Sequence, residues 1–312
     1  MRVQPYEAHH ADAWNAFVRT AKNGSFMFNR GYLDYHADRF SNDSVMIVSD
    51  GGDPIALFPA SRRDDAIVSH GGLTYGGVIM NRDMHATTML DIFDVLATHY
   101  RLTGAERLVY KAIPHIYHDL PAEEDLYALF RVDARLVRRD VSSTVSLAQR
   151  LPFSKGRAHC VKKFRRSGIE VTQSHDFATF MALEAALLDA KFGVAPVHSG
   201  AEMTLLAERF PENIKLFVAE RNGLLAGVII YESRHVAHAQ YIASTDAGRD
   251  ASAVDGIVEH LLTSVYPGKR YFDFGISTED AGRHLNTGLI GNKETYGARS
   301  TVYDAYELSL AL

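Results

Sequence analysis

The chain has 312 residues, of which 46% are hydrophobic and 23% charged, and its formal net charge is −5. This balance of apolar and charged residues excludes a disordered or fibrous protein, and the net negative charge excludes a protein that coats DNA. Single hydrophobic cores stop growing near ~250 residues, so we expect two domains.

Neither a membrane span nor a secretion signal is visible in the sequence. No segment approaches the ~18–20 consecutive apolar residues of a spanning helix, and the N-terminus lacks the basic start and apolar core of a signal peptide. Cys160 is the only cysteine, which excludes an internal disulfide. We therefore expect a cytoplasmic protein that neither spans a membrane nor binds DNA.

The first half begins with helical periodicity, continues with short β-rich segments separated by turn residues, and ends with a long amphipathic segment and one more strand. The predicted helices are residues 11–21, 32–40 and 85–102, and the predicted strands are residues 45–50, 55–62, 66–72 and 107–114.

The second half repeats this order, with a basic helix at its start and an Asn-Gly hairpin turn at residues 222–223. The predicted helices are residues 155–168, 177–191, 201–210, 252–265 and 285–296, and the predicted strands are residues 169–175, 214–220, 224–233, 235–245, 270–275 and 300–308.

The repeated order predicts an α/β protein of the α+β type, in which each half forms a mixed, mostly antiparallel sheet flanked by helices. We place the boundary in the Ser/Thr-rich stretch of residues 141–152, and expect domains at residues 1–145 and 146–312. The histidines do not suggest a metal site. His115 and His118 lie beside Asp119, but no further ligand is clustered with them, so we expect no bound metal.

The C-terminal segment carries a recognisable pattern, in which a strand ending in Asp-Phe-Gly precedes a helix with Lys-x-x-Tyr-Gly. The matching residues are Asp273, Phe274, Gly275, Lys293, Tyr296 and Gly297. This pattern resembles the tail of Fem-like and polysaccharide-biosynthesis proteins of the GNAT superfamily, and the order of elements resembles two GNAT cores in tandem. The resemblance implies a degenerate GNAT-like first domain on the acceptor side and a GNAT second domain on the acyl-donor side.

The resemblance also implies a donor site. In GNAT proteins the fourth strand leads into a loop whose backbone amides bind a diphosphate at a helix N-terminus. By this resemblance, the expected donor-binding residues are Tyr241, Gly248, Arg249, Ala251, Ser252 and Ala253. The implied co-substrate is an acyl-CoA, with acetyl-CoA as the first candidate, and no permanently bound cofactor is expected.

Acyl transfer to an amine requires an unprotonated amine, a stabilised oxyanion and a proton for the leaving group. The resemblance places Tyr296 as the acid, while Asp273 and Glu232 are strand-end carboxylates that can accept a proton. Lys293 is a candidate for stabilising the oxyanion or a donor phosphate as a point charge. A purely structural role is the alternative for each, such as capping of a turn by Asp273.

Two further segments are candidates for substrate contacts. Residues 69–77 contain four glycines, which indicates close backbone approach or positive φ. An acceptor-binding loop with His70 and Tyr75 as polar contacts, together with the nearby strand residue Lys111, would explain it; a wide turn is the alternative. On the basic helix, Lys162 and Arg166 lie at i, i+4 spacing, which indicates either phosphate binding or a solvated helix surface.

These features together favour an N-acyltransferase that moves an acyl group from acyl-CoA to an amino sugar or amino acid group on a cell-envelope precursor, such as a nucleotide-linked amino sugar. Two alternatives stay open. In the first, the acyl donor is an aminoacyl-tRNA instead of an acyl-CoA, as in the Fem-type peptidoglycan enzymes that the chain resembles. In the second, the chain is a non-catalytic protein that keeps the GNAT shell and binds a metabolite. The sequence does not indicate an oligomeric state.

Overall fold

The computed structural model describes residues 1–311, which form two compact units. Unit 1 comprises Met1–Asp140, Thr278–His284 and the segment that begins at Val302, and unit 2 comprises Val141–Ser277 and Leu285–Thr301. The predicted boundary between residues 145 and 146 lies close to the first of these divisions. The two C-terminal segments of unit 1 lie in the second domain of the sequence-based division, but they contact unit 1 residues remote in the chain, through the pairing of β16 with β7 and the contacts of Thr278 and Gly282 with residues 139–140.

The elements are numbered in chain order over both units. The strands are β1 (Arg2–Pro5), β2 (Val45–Val48), β3 (Pro54–Phe58), β4 (Ser61–Arg63), β5 (Ala66–Val68), β6 (Ile79–Met80), β7 (Arg107–Lys111), β8 (Arg135–Ser146), β9 (Val171–Ser174), β10 (Ile214–Glu220), β11 (Leu224–Glu232), β12 (Val236–Ser244), β13 (Tyr271–Ile276), β14 (Thr278–Glu279), β15 (His284–Leu285) and β16 (Arg299–Ser309). The helices are α1 (Ala11–Thr20), α2 (Arg30–Leu33), α3 (Ala86–Leu102), α4 (Glu124–Arg131), α5 (Lys155–Ser167), α6 (Phe177–Phe192), α7 (Gly200–Arg209), α8 (Asp246–Ala251), α9 (Ala253–His260) and α10 (Thr287–Glu294).

Unit 1 contains two sheets. One has the antiparallel strand order β1-β2-β3-β6, and the other has the order β4-β5-β7-β16-β8, with β5 parallel to β7 and β16 antiparallel to it. The pairing of β16 with β7 explains why the C-terminal strand packs with unit 1. Helix α3 buries Ile92, Phe93 and Leu96 in the core of this unit.

Unit 2 contains a six-stranded sheet of order β8-β13-β12-β11-β10-β9, to which β8 contributes residues 141–146. Neighbouring strands are antiparallel except for β12 and β13, which run parallel. The surrounding helices have local start and stop signals. For example, Ser154 caps α5 by accepting a hydrogen bond from the Arg157 amide, and Gly168 ends that helix with φ of 68°.

Alternation along β8, β12 and β13 gives this part of the unit 2 sheet one apolar and one polar face. The apolar face carries Val145, Ala237, Ala239, Phe272 and Phe274, which α9 covers with Ile257 and Val258. Successive strand side chains point to opposite faces, so the residues between them face the other way. These residues are Ser142, Thr144, His238 and Asp273. They define the polar face, on which α6 packs by placing Phe180 against Gly227.

Two helices of unit 2, α5 and α9, approach closely at a glycine. A Cβ on Gly256 would lie 2.0 Å from Phe164 Cδ1, whereas a Cβ on Gly156 would meet no atom within 4 Å. Both glycines are helical, so Gly156→Ala should stabilise the protein by up to about 1 kcal/mol through helix propensity. Gly256→Ala should instead lower the free energy of unfolding by about 1–3 kcal/mol, because the added methyl overpacks the interface. Urea denaturation of both variants checks the difference, and equal effects would contradict the packing argument.

The sequence-based elements differ from the structure mainly around the boundary. The Ser/Thr-rich stretch of residues 141–152, in which the sequence predicts the boundary, begins within strand β8 (Arg135–Ser146), and unit 2 starts at Val141. Helix α4 was not predicted, and the predicted helix 32–40 is reduced to α2 and a short 3₁₀ turn at Asp34–His36. No helix among residues 1–311 is long and apolar enough to cross a membrane.

Candidate functional site

A β-bulge in β12 marks the polar face of unit 2. Ile229 of β11 pairs with Tyr241 and Ile230 pairs with Ala239, so Gln240 is an extra residue without a partner in the pairing. Bulges bend a strand and redirect its side chains, and they are common next to active sites. Here the bulge follows His238 by two positions, and so it singles out the middle of β12 as a candidate site.

His238 and Asp273 form a close pair on this face. They lie opposite each other in the parallel strands β12 and β13, and His238 Nδ1 is 2.8 Å from Asp273 Oδ2. The Asp273 side chain is completely buried, whereas 19% of the His238 side chain is exposed. The imidazole therefore links a buried carboxylate to a position that a substrate can reach.

Strand β8 completes the environment of Asp273. Its other oxygen, Oδ1, accepts hydrogen bonds from Ser142 Oγ at 2.6 Å and Thr144 Oγ1 at 2.8 Å. Burial on its own raises the pKa of Asp273, but the hydrogen bonds from His238, Ser142 and Thr144 outweigh it and hold this pKa below its usual value. Asp273 is therefore a carboxylate at neutral pH.

The ionised partner determines which nitrogen of His238 can act as a base. A carboxylate only accepts hydrogen bonds, so it selects the tautomer of the neutral ring that carries its proton on Nδ1. The lone pair then lies on Nε2, which is free to accept a proton from a substrate. A base oriented by a buried carboxylate is the arrangement that activates nucleophiles in many enzymes.

Lys293 of α10 lies within electrostatic reach of this pair. Its Nζ donates hydrogen bonds of 2.8 Å to the carbonyl oxygens of both Gly275 and Ile276, at the end of β13. Burial lowers the pKa of Lys293 to about 8, and the negative charge of Asp273 acts in the opposite direction. The structure thus brings together two of the predicted catalytic residues, Asp273 and Lys293, and Lys293 fixes the segment that follows the Asp-Phe-Gly strand.

Tyr296, the predicted acid, lies in a different cluster. Its ring belongs to the core on the apolar face, and its hydroxyl donates to Asp255 Oδ1 at 3.1 Å. The guanidinium of Arg157 lies 4.0 Å above the Tyr296 ring and is also paired with Asp255. Burial raises the pKa of Tyr296, so its phenol stays protonated. The hydroxyl is therefore engaged in a buried network and not directed to the polar face.

Glu232, the other predicted carboxylate, is ion-paired at the end of β11. Its two oxygens lie 2.8 Å from Lys215 Nζ and from Lys269 Nζ. Burial raises the pKa of Glu232, and the hydrogen bonds and charges of the two lysines lower it further than burial raises it. Both oxygens thus have cationic partners, and Glu232 is not grouped with Asp273.

The segment predicted to bind the donor diphosphate is mostly helical. Thr245 caps α8 by accepting from the Gly248 amide, and Arg249 binds the Ser244 carbonyl and Asp246. A Cβ on Gly248 would lie 2.1 Å from the Leu225 carbonyl oxygen, so this glycine is required for packing against β11. The other predicted donor contacts are Ala251 at the end of α8, Ser252 with φ of 57°, Ala253 at the start of α9, and Tyr241, whose hydroxyl is 2.7 Å from His198 Nδ1.

The start of α9 already has a negative charge of its own. Asp255 lies in the first turn of α9, where it is buried and paired with Arg157. A carboxylate at this position interacts favourably with the helix dipole. The resemblance predicts the donor diphosphate at such a helix N-terminus, and at α9 this position already holds the ion pair of Asp255 with Arg157.

The glycine-rich segment of residues 69–77 in unit 1 is held in place by the side chain of Lys111. Lys111 Nζ donates to the carbonyl oxygens of His70 and Leu73, and burial lowers the pKa of Lys111 to about 8. His70 is buried, and burial lowers its pKa to about 3, so its ring is neutral. Tyr75 packs against the rings of Phe28 and Tyr117. The structure therefore brings His70 and Lys111 together, while Tyr75 lies in an aromatic cluster.

The basic helix α5 presents part of its charge to solvent. Lys162 and Arg166 are exposed, and neither has an ion pair within the described chain. Arg165 on the same helix pairs with Glu259 of α9, and Arg157 is turned inward to Asp255. The free charges of α5 are thus available to an external anion.

Three residues of the polar face were missed from the sequence, namely His238, Ser142 and Thr144. The sequence does contain a signal for them. In β8 and β12 these polar side chains alternate with apolar ones, as expected for strands with one buried apolar face. Within residues 1–311 no group of three or more His, Cys, Asp or Glu side chains is arranged to hold a metal ion.

Comparisons with known proteins agree with this architecture. Residues 155–282 match the family model of the acetyltransferase (GNAT) domain, a class that in general uses an acyl-CoA co-substrate. No curated protein matches the chain.

Among solved structures, FemX is similar to the chain with a TM-score of 0.68, 11% identity and coverage of 97% of both chains. L-PGS from Bacillus licheniformis follows with a TM-score of 0.63 and 14% identity, covering 99% of this chain and 94% of that one. A tandem GNAT protein from the clavulanic acid biosynthesis pathway has a TM-score of 0.50 and 10% identity, with coverage of 100% and 98%. At these identities the likeness establishes the fold.

Proposed function

We propose that this chain, a GNAT-superfamily acyltransferase with a Fem-like fold, transfers an acyl group from an acyl-CoA to a primary amine of a cell-envelope glycan precursor, such as a nucleotide-linked amino sugar. The observation that carries the proposal is the His238–Asp273 pair at the β12 bulge. Both residues lie inside the segment that matches the GNAT domain. The GNAT class of domain gives the reaction type, and the pair supplies its base.

In the proposed reaction the amine nitrogen attacks the thioester carbonyl carbon. The new C–N bond forms, the C–S bond breaks, and the proton lost by the nitrogen passes to His238 Nε2. Asp273 stabilises the resulting imidazolium through Nδ1, while Ser142 and Thr144 hold the carboxylate in place. His238 then returns the proton to the departing thiolate, so the products are an amide and free coenzyme A. Base catalysis of this kind contributes about 10²–10⁴-fold to a rate.

The donor class is tested first by ligand-dependent stability. Acetyl-CoA or a longer acyl-CoA should raise the melting temperature, because a ligand at ~100 times its Kd adds about 2.7 kcal/mol to the free energy of unfolding. ADP, which shares the adenosine diphosphate part of coenzyme A but lacks the thioester arm, serves as the control and should have a smaller effect. Thiol release from acetyl-CoA in the presence of UDP- and dTDP-linked amino sugars then measures turnover. No stabilisation by any acyl-CoA, with no thiol release, would exclude this donor.

A second candidate donor, an aminoacyl-tRNA, is favoured by the charge of α5. This helix exposes Lys162 and Arg166, which have no ion pair among residues 1–311. Exposed cations of this kind suit a nucleic acid backbone. Filter binding of aminoacyl-tRNA distinguishes the donors. For this candidate, Lys162→Gln with Arg166→Gln should weaken tRNA binding and reduce its salt dependence, while acyl-CoA has no effect on melting.

A further inference from the structure

A small cavity is lined by three arginines, and all of its lining residues belong to unit 1. Its volume is about 140 Å³, and it lies between β8 and the turn that follows β14. The lining residues are Leu136, Val137, Arg138, Arg139, Ala281, Gly282 and Arg283. A water molecule occupies roughly 30 Å³ in the liquid, so a phosphate group fits within this volume.

The charges around the cavity are only partly neutralised. Arg139 uses Nε and one terminal nitrogen in a two-point pair with Asp304, at 2.7 and 2.8 Å. Arg138 donates only its Nε to Asp140, at 2.6 Å, which leaves both terminal nitrogens without a partner in the described structure. Arg283 has no ion pair among residues 1–311, although its backbone amide donates to the Asp280 carbonyl. Donors on Arg138 and Arg283 are thus available at the two sides of the cavity.

The turn that carries Arg283 is held in a strained conformation. Asp280 and Ala281 both have φ of 48°, in the left-handed region that residues with a Cβ rarely adopt. Gly282 follows with φ of 84°, and a Cβ there would lie 2.1 Å from the Arg139 carbonyl oxygen. Strained backbone of this kind persists where the surrounding structure enforces it, and it concentrates at ligand-binding sites. Here it places the turn directly against β8 beside Arg138 and Arg139.

A further cation belongs to the same neighbourhood. The charge of Arg138 contributes to lowering the pKa of Lys111, after the larger effect of burial. Lys111 therefore lies within electrostatic reach of Arg138, and it holds the glycine-rich segment through His70 and Leu73. Asp140, the carboxylate bound to Arg138, also accepts from Thr278 Oγ1 at 2.7 Å. Asp140 is consequently already engaged by two donors.

We propose that this cavity binds a phosphate or diphosphate group, with Arg138 and Arg283 as its ligands and Gly282 as the residue that allows their approach. Arginine suits the task, because its planar guanidinium donates two parallel hydrogen bonds to phosphate oxygens. As far as it concerns the substrate, this inference rests on the proposed function: the phosphate is that of a nucleotide- or phosphate-linked acceptor, bound by unit 1.

The test uses inorganic pyrophosphate and the intact chain, with titration calorimetry in a phosphate-free buffer at low salt. Wild type should bind with a Kd of about 1 mM or tighter. Arg138→Gln and Arg283→Gln should each weaken binding about tenfold, since each removes charge-assisted hydrogen bonds. Arg19→Gln, at an exposed arginine of α1 in the same unit, is the matched control and should bind as wild type does. Lys162→Gln on α5 should also leave binding unchanged.

Two results would overturn the assignment: no saturable binding of pyrophosphate by wild type, or wild-type binding in both Arg138→Gln and Arg283→Gln. Loss of binding in Lys162→Gln alone would place the anion on α5 and would also overturn it. The proposed function fails separately. If the chain binds pyrophosphate through Arg138 and Arg283 but transfers no acyl group, the phosphate site stands and the proposed function is excluded. If the chain transfers an acyl group but Arg138→Gln and Arg283→Gln both bind pyrophosphate as wild type does, the proposed function stands and the phosphate site is excluded.

Discussion

His238→Asn is expected to lower kcat for acyl transfer by about 10²–10⁴-fold, the usual contribution of a positioned base. An asparagine amide can still donate a hydrogen bond to Asp273 from near the position of Nδ1, but it has no nitrogen that accepts a proton. The variant therefore removes the base while it keeps the buried carboxylate paired. Initial rates with saturating donor and acceptor measure the loss, and the melting temperature shows whether the fold is intact.

Asp273→Asn should reduce kcat by a comparable factor through a different route. An amide at this position no longer presents two accepting oxygens, so it cannot both select the Nδ1–H tautomer of His238 and accept from Ser142 and Thr144. Because Asp273 acts through His238, adding His238→Asn to Asp273→Asn should cost little more than either change alone. Independent, multiplicative losses in the double variant would contradict the coupling between the two side chains.

Two control variants separate catalysis from stability. His260→Asn replaces a half-buried histidine at the end of α9, against the apolar face of the same sheet, and should leave the rate near that of wild type. Tyr296→Phe removes the hydrogen bond to Asp255 and should lower stability by about 0.5–1.5 kcal/mol with little effect on kcat. A large loss of kcat in Tyr296→Phe would instead support the role that the resemblance implied, and a normal rate in His238→Asn would exclude the base proposed here.

The candidate site could be predicted only where its signal is local in sequence. Asp273, Gly275 and Lys293 belong to one short pattern, which the sequence carries within some twenty residues. His238 is 35 residues from Asp273, and its pairing depends on the register of two parallel strands. Ser142 is 131 residues away, in a Ser/Thr-rich stretch where the sequence predicts a domain boundary. Register between strands remote in sequence is set by tertiary packing, which local periodicity does not reveal.

The fold, like the site, is predictable from sequence only where it depends on residues that are near each other in the chain. Hydrophobic periodicity predicted most helices and the three-strand order β10-β11-β12, because each hairpin is closed by residues near in sequence. The assignment of Thr278–His284 and of the segment from Val302 to unit 1 depends on contacts with β7 and β8. Gly282 is an example. A glycine is required there because a Cβ would clash with the carbonyl oxygen of Arg139, which is far away in sequence.

Arg157→Met is expected to lower the free energy of unfolding by about 3–5 kcal/mol, which makes it the largest stability effect expected in unit 2. Asp255 is buried, and Arg157 is its cationic partner. Methionine fills similar space but leaves the carboxylate without a compensating charge, and an uncompensated buried charge is strongly destabilising. The substitution also removes the contact of the Arg157 guanidinium with the Tyr296 ring and its hydrogen bond to Thr295 Oγ1. Chemical denaturation measures the change.

Arg165→Met on the same helix is the matched control, because its pair with Glu259 is exposed on the arginine side and such pairs contribute about 0–1 kcal/mol. Adding Asp255→Asn to Arg157→Met should recover part of the lost stability, since it removes the buried charge itself; no recovery would contradict the electrostatic cause. The same double variant bears on the donor. If acyl-CoA binds at the start of α9, the double variant should bind it more tightly than Arg157→Met alone does, because the diphosphate then no longer faces an unpaired carboxylate at the same helix terminus.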